Sequence, residues 1–153
     1  MDDIMFRGPE GQFSFCARAV ILQEGKVLMV KDHLGRYYYP VGGRVQLHET
    51  AAQAAKRESF EETGATFRAE RLLFIHKNFF GESSEPGLDN YHELCLFYLM
   101  RRISGDVRAI TDSGESLEWL PVDALSEYKV YPLFFPAELP HLTNEIKHFV
   151  TKE

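Results

Sequence analysis

Four charged residues in one short segment carry the most legible chemistry of this chain. They are Arg57, Glu58, Glu61 and Glu62, within the run GRVQLHETAAQAAKRESFEETGA that spans 43–65. On a helix of ~3.6 residues per turn they fall within an arc of about 140°. Glu58 and Glu62 then lie one turn apart, as do Arg57 and Glu61, and Glu49 enters just ahead of the helix. Such a face is awkward by itself, because like charges at i,i+4 destabilise a helix by about 0.2–0.5 kcal/mol per pair. Arg57 can relieve Glu61 but cannot serve four carboxylates. A hard divalent cation can relieve the rest, since Mg²⁺ takes oxygen ligands and keeps part of its water. The pair Gly42-Gly43 lets the backbone come close, so that a main-chain carbonyl can join the ligands. The competing reading is a solvated acidic helix face, which is what several Glu on a helix usually mean. The spacing of the whole set decides between the two.

The elements that must position these groups can be read from pattern. Residues 50–63 are expected as a helix: Thr50 is a natural N-cap, the segment is rich in Ala, and Gly64 stands where a left-handed C-terminal residue belongs. Strands are expected at 13–22, with Phe13, Phe15, Ala17, Ala19 and Ile21 on one face, and at 27–30, 72–75, 94–100 and 117–120. The strand at 94–100 is apolar on both faces, which predicts a central place in the sheet. Turns are expected at 23–26, 32–35 and 104–106. Pro40 and Gly42-Gly43 are expected to interrupt regular structure, and 140–150 reads as a closing amphipathic helix. Strands before, between and after two helices suggest an α/β fold, a mixed sheet covered by helices on both sides.

The spacing Gly43-x5-Glu49-x7-Arg57-Glu58-x2-Glu61-Glu62-x-Gly64 resembles the Nudix box at all of its fixed positions. Two positions that usually hold larger aliphatic residues are Ser59 and Ala65, a departure that bears on packing rather than chemistry. Pro40-Val41-Gly42-Gly43 before the box, and Glu118-Trp119-Leu120-Pro121 followed by Val122-Asp123-Ala124-Leu125 after it, also look like their counterparts in that family. The resemblance therefore covers most of the chain, and the whole of 1–153 is expected as one Nudix domain with an α/β/α sandwich. It implies a hydrolase that cuts the diphosphate of a nucleoside diphosphate linked to another group, with Mg²⁺ or Mn²⁺ as cofactor. Carried over by position, Glu58 and Glu62 would be principal metal ligands, with Glu61 and the Gly43 carbonyl as further ones. Arg57 would orient the carboxylates and Glu49 would support Arg57 or the metal site. The base that deprotonates the attacking water would be Glu58, Glu61 or a glutamate on a later loop. Metal ions suit such chemistry because they neutralise the diphosphate, acidify water and hold the line of attack. They also reconcile an acidic chain with a polyanionic substrate.

Outside the box, Glu115 is the late-loop glutamate such a family often uses, against the plainer reading of a solvent-facing carboxylate. Glu93, at the start of the central strand, is a candidate metal or substrate contact, against a strand-end charge pair. Arg18 is a charge within an apolar strand and needs a partner, either a substrate phosphate or a structural carboxylate. Tyr37, Tyr38, Phe79 and Phe80 are candidates to stack on a base, with packing the better expectation. The run 81–90 is expected as a loop that either closes over substrate or is ordinary. The six histidines show no ligand spacing. Cys16 and Cys95 sit in apolar runs with no CxxC, which predicts buried free thiols rather than a zinc site.

Composition bounds the rest. A chain of 153 residues with 44% apolar residues is long enough for a packed single domain. The net charge of −6 and the lack of a basic run argue against a nucleic-acid footprint. The acidic start and the lack of a long apolar stretch predict neither signal peptide nor membrane helix, so a cytoplasmic location is the default. The intact box argues against an isomerase and against a nucleotide- or ADP-ribose-sensing module, and the charge against decapping. No substrate-class marker follows the box: the relevant stretch reads Phe79-Phe80-Gly81-Glu82, with Pro86 too late. A small nucleotide-type substrate is the expected partner, and a homodimer stays open.

Overall fold

The computed structural model describes residues 2–81 and 90–152. Nine strands form one mixed sheet. They are β1 (Met5–Gly8), β2 (Gly11–Gln23), β3 (Lys26–Lys31), β4 (Tyr38–Pro40), β5 (Gly42–Arg44), β6 (Thr66–Phe80), β7 (Tyr91–Ser104), β8 (Leu117–Pro121) and β9 (Lys147–Lys152). The main path runs β4-β3-β2-β7-β6-β9, with β1 and β5 along β2 and β8 along β3. β2 and β7 are parallel, as are β6 and β9; the other pairs are antiparallel. β7 lies between β2 and β6, the central place its two apolar faces predict.

One long helix, α1 (Ala51–Thr63), packs on one face. Its start is fixed by a capping box, in which Thr50 Oγ1 accepts from Gln53 N–H at 3.1 Å and Gln53 Oε1 accepts from Thr50 N–H at 2.8 Å. Its end is fixed by Gly64 at φ 79°, whose N–H donates to the Phe60 carbonyl. The buried stripe is Ala51, Ala54, Ala55, Ser59 and Thr63. These small side chains bring the helix axis close to Ala17, Ala19 and Ile21 of β2. Ser59 is fully buried but satisfied, its hydroxyl donating to the Ala55 carbonyl at 2.7 Å.

The opposite face is built differently from expectation. Residues 140–150 do not form a closing helix. A single 3₁₀ turn at Leu139–His141 is followed by β9, which pairs in parallel with β6. The reason lies in the side chains of Lys147–Lys152, whose burial alternates strictly: Lys147, Phe149 and Thr151 turn inward and the residues between face solvent. Cover on this face comes instead from a 3₁₀ segment at Val122–Glu127 and the four-residue α2 (Phe135–Glu138). Phe134 stacks on Phe149 with centroids 4.0 Å apart, and with Phe135 it caps Phe74 and Phe97 of the sheet. Pro40 and Gly42-Gly43 also differ from expectation: they end and begin short strands rather than break the sheet. Cys16 and Cys95 are buried free thiols, facing each other across the β2–β7 ladder.

Candidate metal and phosphate site

β5 and the C-terminal half of α1 meet at one edge of the sheet, and that meeting builds the site. Arg57 is its organiser. Its guanidinium fork closes on Glu49, Nε to Oε2 at 3.0 Å and Nη2 to Oε1 at 2.6 Å. The same Nη2 donates to the Arg44 carbonyl at 3.0 Å, which ties the helix to β5. Nη1 donates to Glu58 Oε1 at 2.9 Å and to Glu61 Oε2 at 3.3 Å. One planar cation thus sets the positions of three carboxylates. Glu49 also accepts from the Gln46 N–H at 2.9 Å; Arg57 first, and that backbone bond second, hold its carboxyl below the usual range.

Glu58 and Glu62 are in the opposite electrostatic state. Burial pushes the Glu58 carboxyl up against the pull of Arg57, and Glu61 adds to the rise. Burial pushes Glu62 up to about 8; Arg18 opposes this, while Glu58 and Asp112 reinforce it. Among the described residues the only hydrogen bond to the Glu62 carboxyl comes from the Gly42 N–H, at 3.3 Å from Oε2. Two neighbouring carboxyls on one helix face, both short of solvation, are stable as anions only beside added positive charge.

The glycines explain how the carboxylates come so near the strand. A Cβ placed on Gly43 would stand 2.6 Å from Glu58 Oε1, so the absence of a side chain is what lets Glu58 rest against β5. A Cβ on Gly42 would strike the Ala17 carbonyl and stand 2.7 Å from Arg18 Cδ, and Gly42 has φ 150°. The oxygen-only donors and the half-desolvated pair Glu58/Glu62 beside the Gly43 backbone fit a hard divalent cation. Among the described residues no three Asp, Glu, His or Cys side chains already converge on one point. An open site of that kind suits Mg²⁺, which is commonly held by one or two carboxylates and keeps water.

The structure places the other sequence candidates as follows. Arg18 is half-buried on β2 and donates to the Pro40 carbonyl at 3.4 Å; burial opposes its charge, but Cys95, Cys16, Glu93 and Glu62 outweigh it and hold the guanidinium charged. Among the described residues no carboxylate lies within ion-pairing distance of it. Glu93 lies on the same sheet face and receives only a weak Cys16 thiol contact at 3.8 Å. Glu115 is anchored rather than solvent-facing: Thr111 Oγ1 donates to Oε2 at 2.8 Å and His33 Nε2 stands 3.7 Å from Oε1. Its loop approaches the helix carboxylates through Asp112, which acts on Glu62, and through Tyr39. Burial, then Glu115 and Glu62, push the Tyr39 phenol up to about 12, so it keeps its proton.

Sequence reasoning passed over Tyr39 and Asp112. The available signals were Tyr39's position just before Pro40-Val41-Gly42-Gly43, and Asp112's place in the Glu115 loop. The expected packing role of the aromatics agrees with their contacts. Tyr38 donates to Glu118 at 3.1 Å and meets Tyr128, Tyr37 meets Tyr131, and Phe79 stacks on His92 at 4.2 Å. Of the expected loop at 81–90, residues 82–89, including Glu82 and Pro86, lie outside the described residues.

Comparison with known proteins now bears on this geometry. The model of the NUDIX domain matches residues 14–137. The chain belongs to the NUDIX family. Its class is therefore that of the Nudix-type pyrophosphohydrolases. Among solved structures, a mutator MutT protein from Bacillus halodurans is 17% identical, with 91% of this chain and 90% of that one covered at a TM-score of 0.71. An ADP-ribose pyrophosphatase from Streptococcus suis is 19% identical over 90% of this chain and 98% of that one, at 0.62. A MutT NUDIX hydrolase from Burkholderia pseudomallei is 25% identical over 73% and 85%, at 0.55. These likenesses establish the α/β Nudix fold. No curated protein sequence matches the chain.

Proposed function

We propose that this Nudix enzyme hydrolyses, with Mg²⁺ or Mn²⁺, the diphosphate linkage of a nucleoside diphosphate joined to another group. The observation that carries the reading is the pairing of Glu58 and Glu62, pushed up by burial, with the side-chain-free backbone of Gly42 and Gly43. Glu58, Glu62 and the Gly43 carbonyl would hold the cation, with exposed Glu61 as a further ligand. When bound, the cation would neutralise the diphosphate and acidify water. Glu49 fixes Arg57, and Arg57 fixes the line of Glu58 and Glu61, so the carboxylates are set before substrate arrives. Arg18, with no carboxylate in ion-pairing reach among the described residues, would meet a phosphate oxygen. Glu61 and Glu115 are the candidates to accept the proton of the attacking water. Glu61 is exposed on the helix, and Glu115 is held by Thr111. The names of the relatives, a MutT protein, an ADP-ribose pyrophosphatase and a UDP-X diphosphatase, support the reaction type and span several substrates. Residues 1–153 are proposed as a single domain acting on a small molecule. No described helix is long and apolar enough to cross a membrane.

The test is phosphate release, coupled to pyrophosphatase and phosphatase, over nucleoside triphosphates, nucleotide sugars and dinucleotides with and without Mg²⁺. Metal-dependent turnover of at least one substrate, lost in Glu62→Gln, is the expected result. Turnover that survives Glu62→Gln with unchanged Mg²⁺ dependence refutes the metal assignment. A blank panel with ligand-induced thermal stabilisation would instead indicate a binding module.

A further inference from the structure

Beyond the carboxylate site, one polar row crosses the sheet. Ser14, Glu93, Asn78 and Thr151 are register partners on β2, β7, β6 and β9, so their side chains stand side by side on one face. The outer two are engaged: Ser14 Oγ accepts from Gln12 at 3.3 Å, and Thr151 Oγ1 bonds His76 Nε2 at 2.9 Å. The inner two are not. Asn78 Oδ1 is buried with no partner, and among the described residues nothing hydrogen-bonds the Asn78 side chain. Glu93 has no cation within ion-pairing distance there and only the weak thiol contact. A buried polar atom left unpaired requires an explanation, and a missing ligand is one.

Aromatic rings flank the row. Toward α2 the row is bordered by His76 beneath Phe134, with centroids 5.0 Å apart. On the other side Phe80 and Tyr91 stack at 5.0 Å and 12°. Arg18 shares the face, four residues from Ser14 along β2, roughly 14 Å at a strand rise of about 3.4 Å. A nucleoside diphosphate has that order of length from phosphates to the far edge of its base.

Hydrogen-bond inventory then selects the base. An ionised carboxylate only accepts, and it takes two parallel N–H donors best. A carboxamide presents donors or an acceptor after a half-turn. Guanine offers N1–H and the exocyclic N2–H side by side, with O6 as acceptor next to them. Adenine, cytosine and uracil each set a lone pair beside their N–H, which would face the carboxylate. We propose that Glu93 and Asn78 form a base-recognition slot selecting guanine, Glu93 accepting N1–H and N2–H and the Asn78 amide donating to O6. The proposal rests on the nucleoside-diphosphate reading above.

The experiment compares GTP with ITP, which lacks only the exocyclic amine, by kcat/KM in Mg²⁺. It also compares GDP with IDP by calorimetric binding to the unaltered protein. A preference for guanine of roughly 10- to 100-fold is expected, the discrimination typical of one bidentate pair. The preference is expected to collapse in Glu93→Gln and Asn78→Leu with melting temperatures close to the parent. Equal handling of guanine and hypoxanthine overturns the slot, and so does a preference that survives both substitutions. The comparison in the unaltered protein holds even if a variant fails to fold. If neither triphosphate is turned over, the hydrolase reading is decided by the wider substrate panel, and the GDP-against-IDP binding ratio still decides the slot.

Discussion

Gly43→Ala separates the chemistry of the site from its stability. A new Cβ would lie 2.6 Å from Glu58 Oε1 and 2.7 Å from its Cδ, whereas ordinary contact begins near 3.4 Å. The carboxylate must therefore retreat by about 0.8 Å, and a misplacement of about 1 Å at a catalytic group costs on the order of 10²-fold in rate. The backbone itself has no objection, since Gly43 lies outside the positive-φ region that L residues avoid. The unfolded chain also loses entropy, which offsets any strain by ~0.4–1 kcal/mol. The expected outcome is an unchanged or slightly raised melting temperature, weakened Mg²⁺ dependence and ~10²-fold lower kcat/KM. Once Glu58→Ala has removed the displaced group, adding Gly43→Ala should cost little more. Gly42→Ala is the contrast: at φ 150°, against the Ala17 carbonyl, it should cost a few kcal/mol and unseat β5 from β2. Parental turnover and metal affinity in a well-folded Gly43→Ala protein would show that Glu58 does not depend on this contact, and the site as described would be wrong.

Two pH dependences follow from opposite shifts. Glu62 has its folded value raised from 4.5 to about 8, so the metal-free protein holds that proton more tightly than the unfolded chain does. This contribution is complete below about pH 4.5 and is lost as pH rises toward 8. Thermal melts in chelator across that window should show the loss, Glu62→Gln should flatten it, and added Mg²⁺ should reverse it; parallel curves for the two proteins would refute the assignment. His76, buried beneath Phe134, is lowered from 6.5 to about 4 by burial. Below pH 6.5 the unfolded chain takes a proton that the folded one refuses, so stability falls between pH 6.5 and 4 by at most about 3 kcal/mol. Denaturant titrations of the parent and His76→Leu should differ in slope across that interval only.

What the sequence revealed of the fold divides by the range of the determining contacts. The helix at 50–63 was readable to the residue because its signals are local: Thr50 and Gln53 bond each other, and Gly64 supplies the left-handed end. The central strand was readable because burial on both faces leaves an unbroken apolar run. β9 was misread because its partner lies about seventy residues away in the chain, on β6, and the alternation of Lys147, Phe149 and Thr151 is too short to outweigh helix-compatible neighbours. Short strands such as β4 and β5 owe their existence to pairing with β3 and β2, not to any propensity of Pro40 or Gly42.

The same division governs the site. Glu49, Arg57, Glu58, Glu61 and Glu62 are held together by one helix and the turn before it, so their spacing alone brings them to one face. Arg57 then bonds three of the carboxylates within eight residues of itself. Asn78 and Glu93 carry no such spacing. They become neighbours only through the antiparallel register of β6 and β7, and their unspent hydrogen-bonding capacity becomes visible only when Ser14 and Thr151, on the flanking strands, prove to be engaged already. A sequence read one strand at a time shows an asparagine between Lys77 and Phe79 and nothing more. The fold turns it into a carboxamide with a buried, unpartnered Oδ1 beside a carboxylate that has no cation in reach among the described residues, which is why reaction type is legible from a helix while substrate choice has to be sought across the sheet.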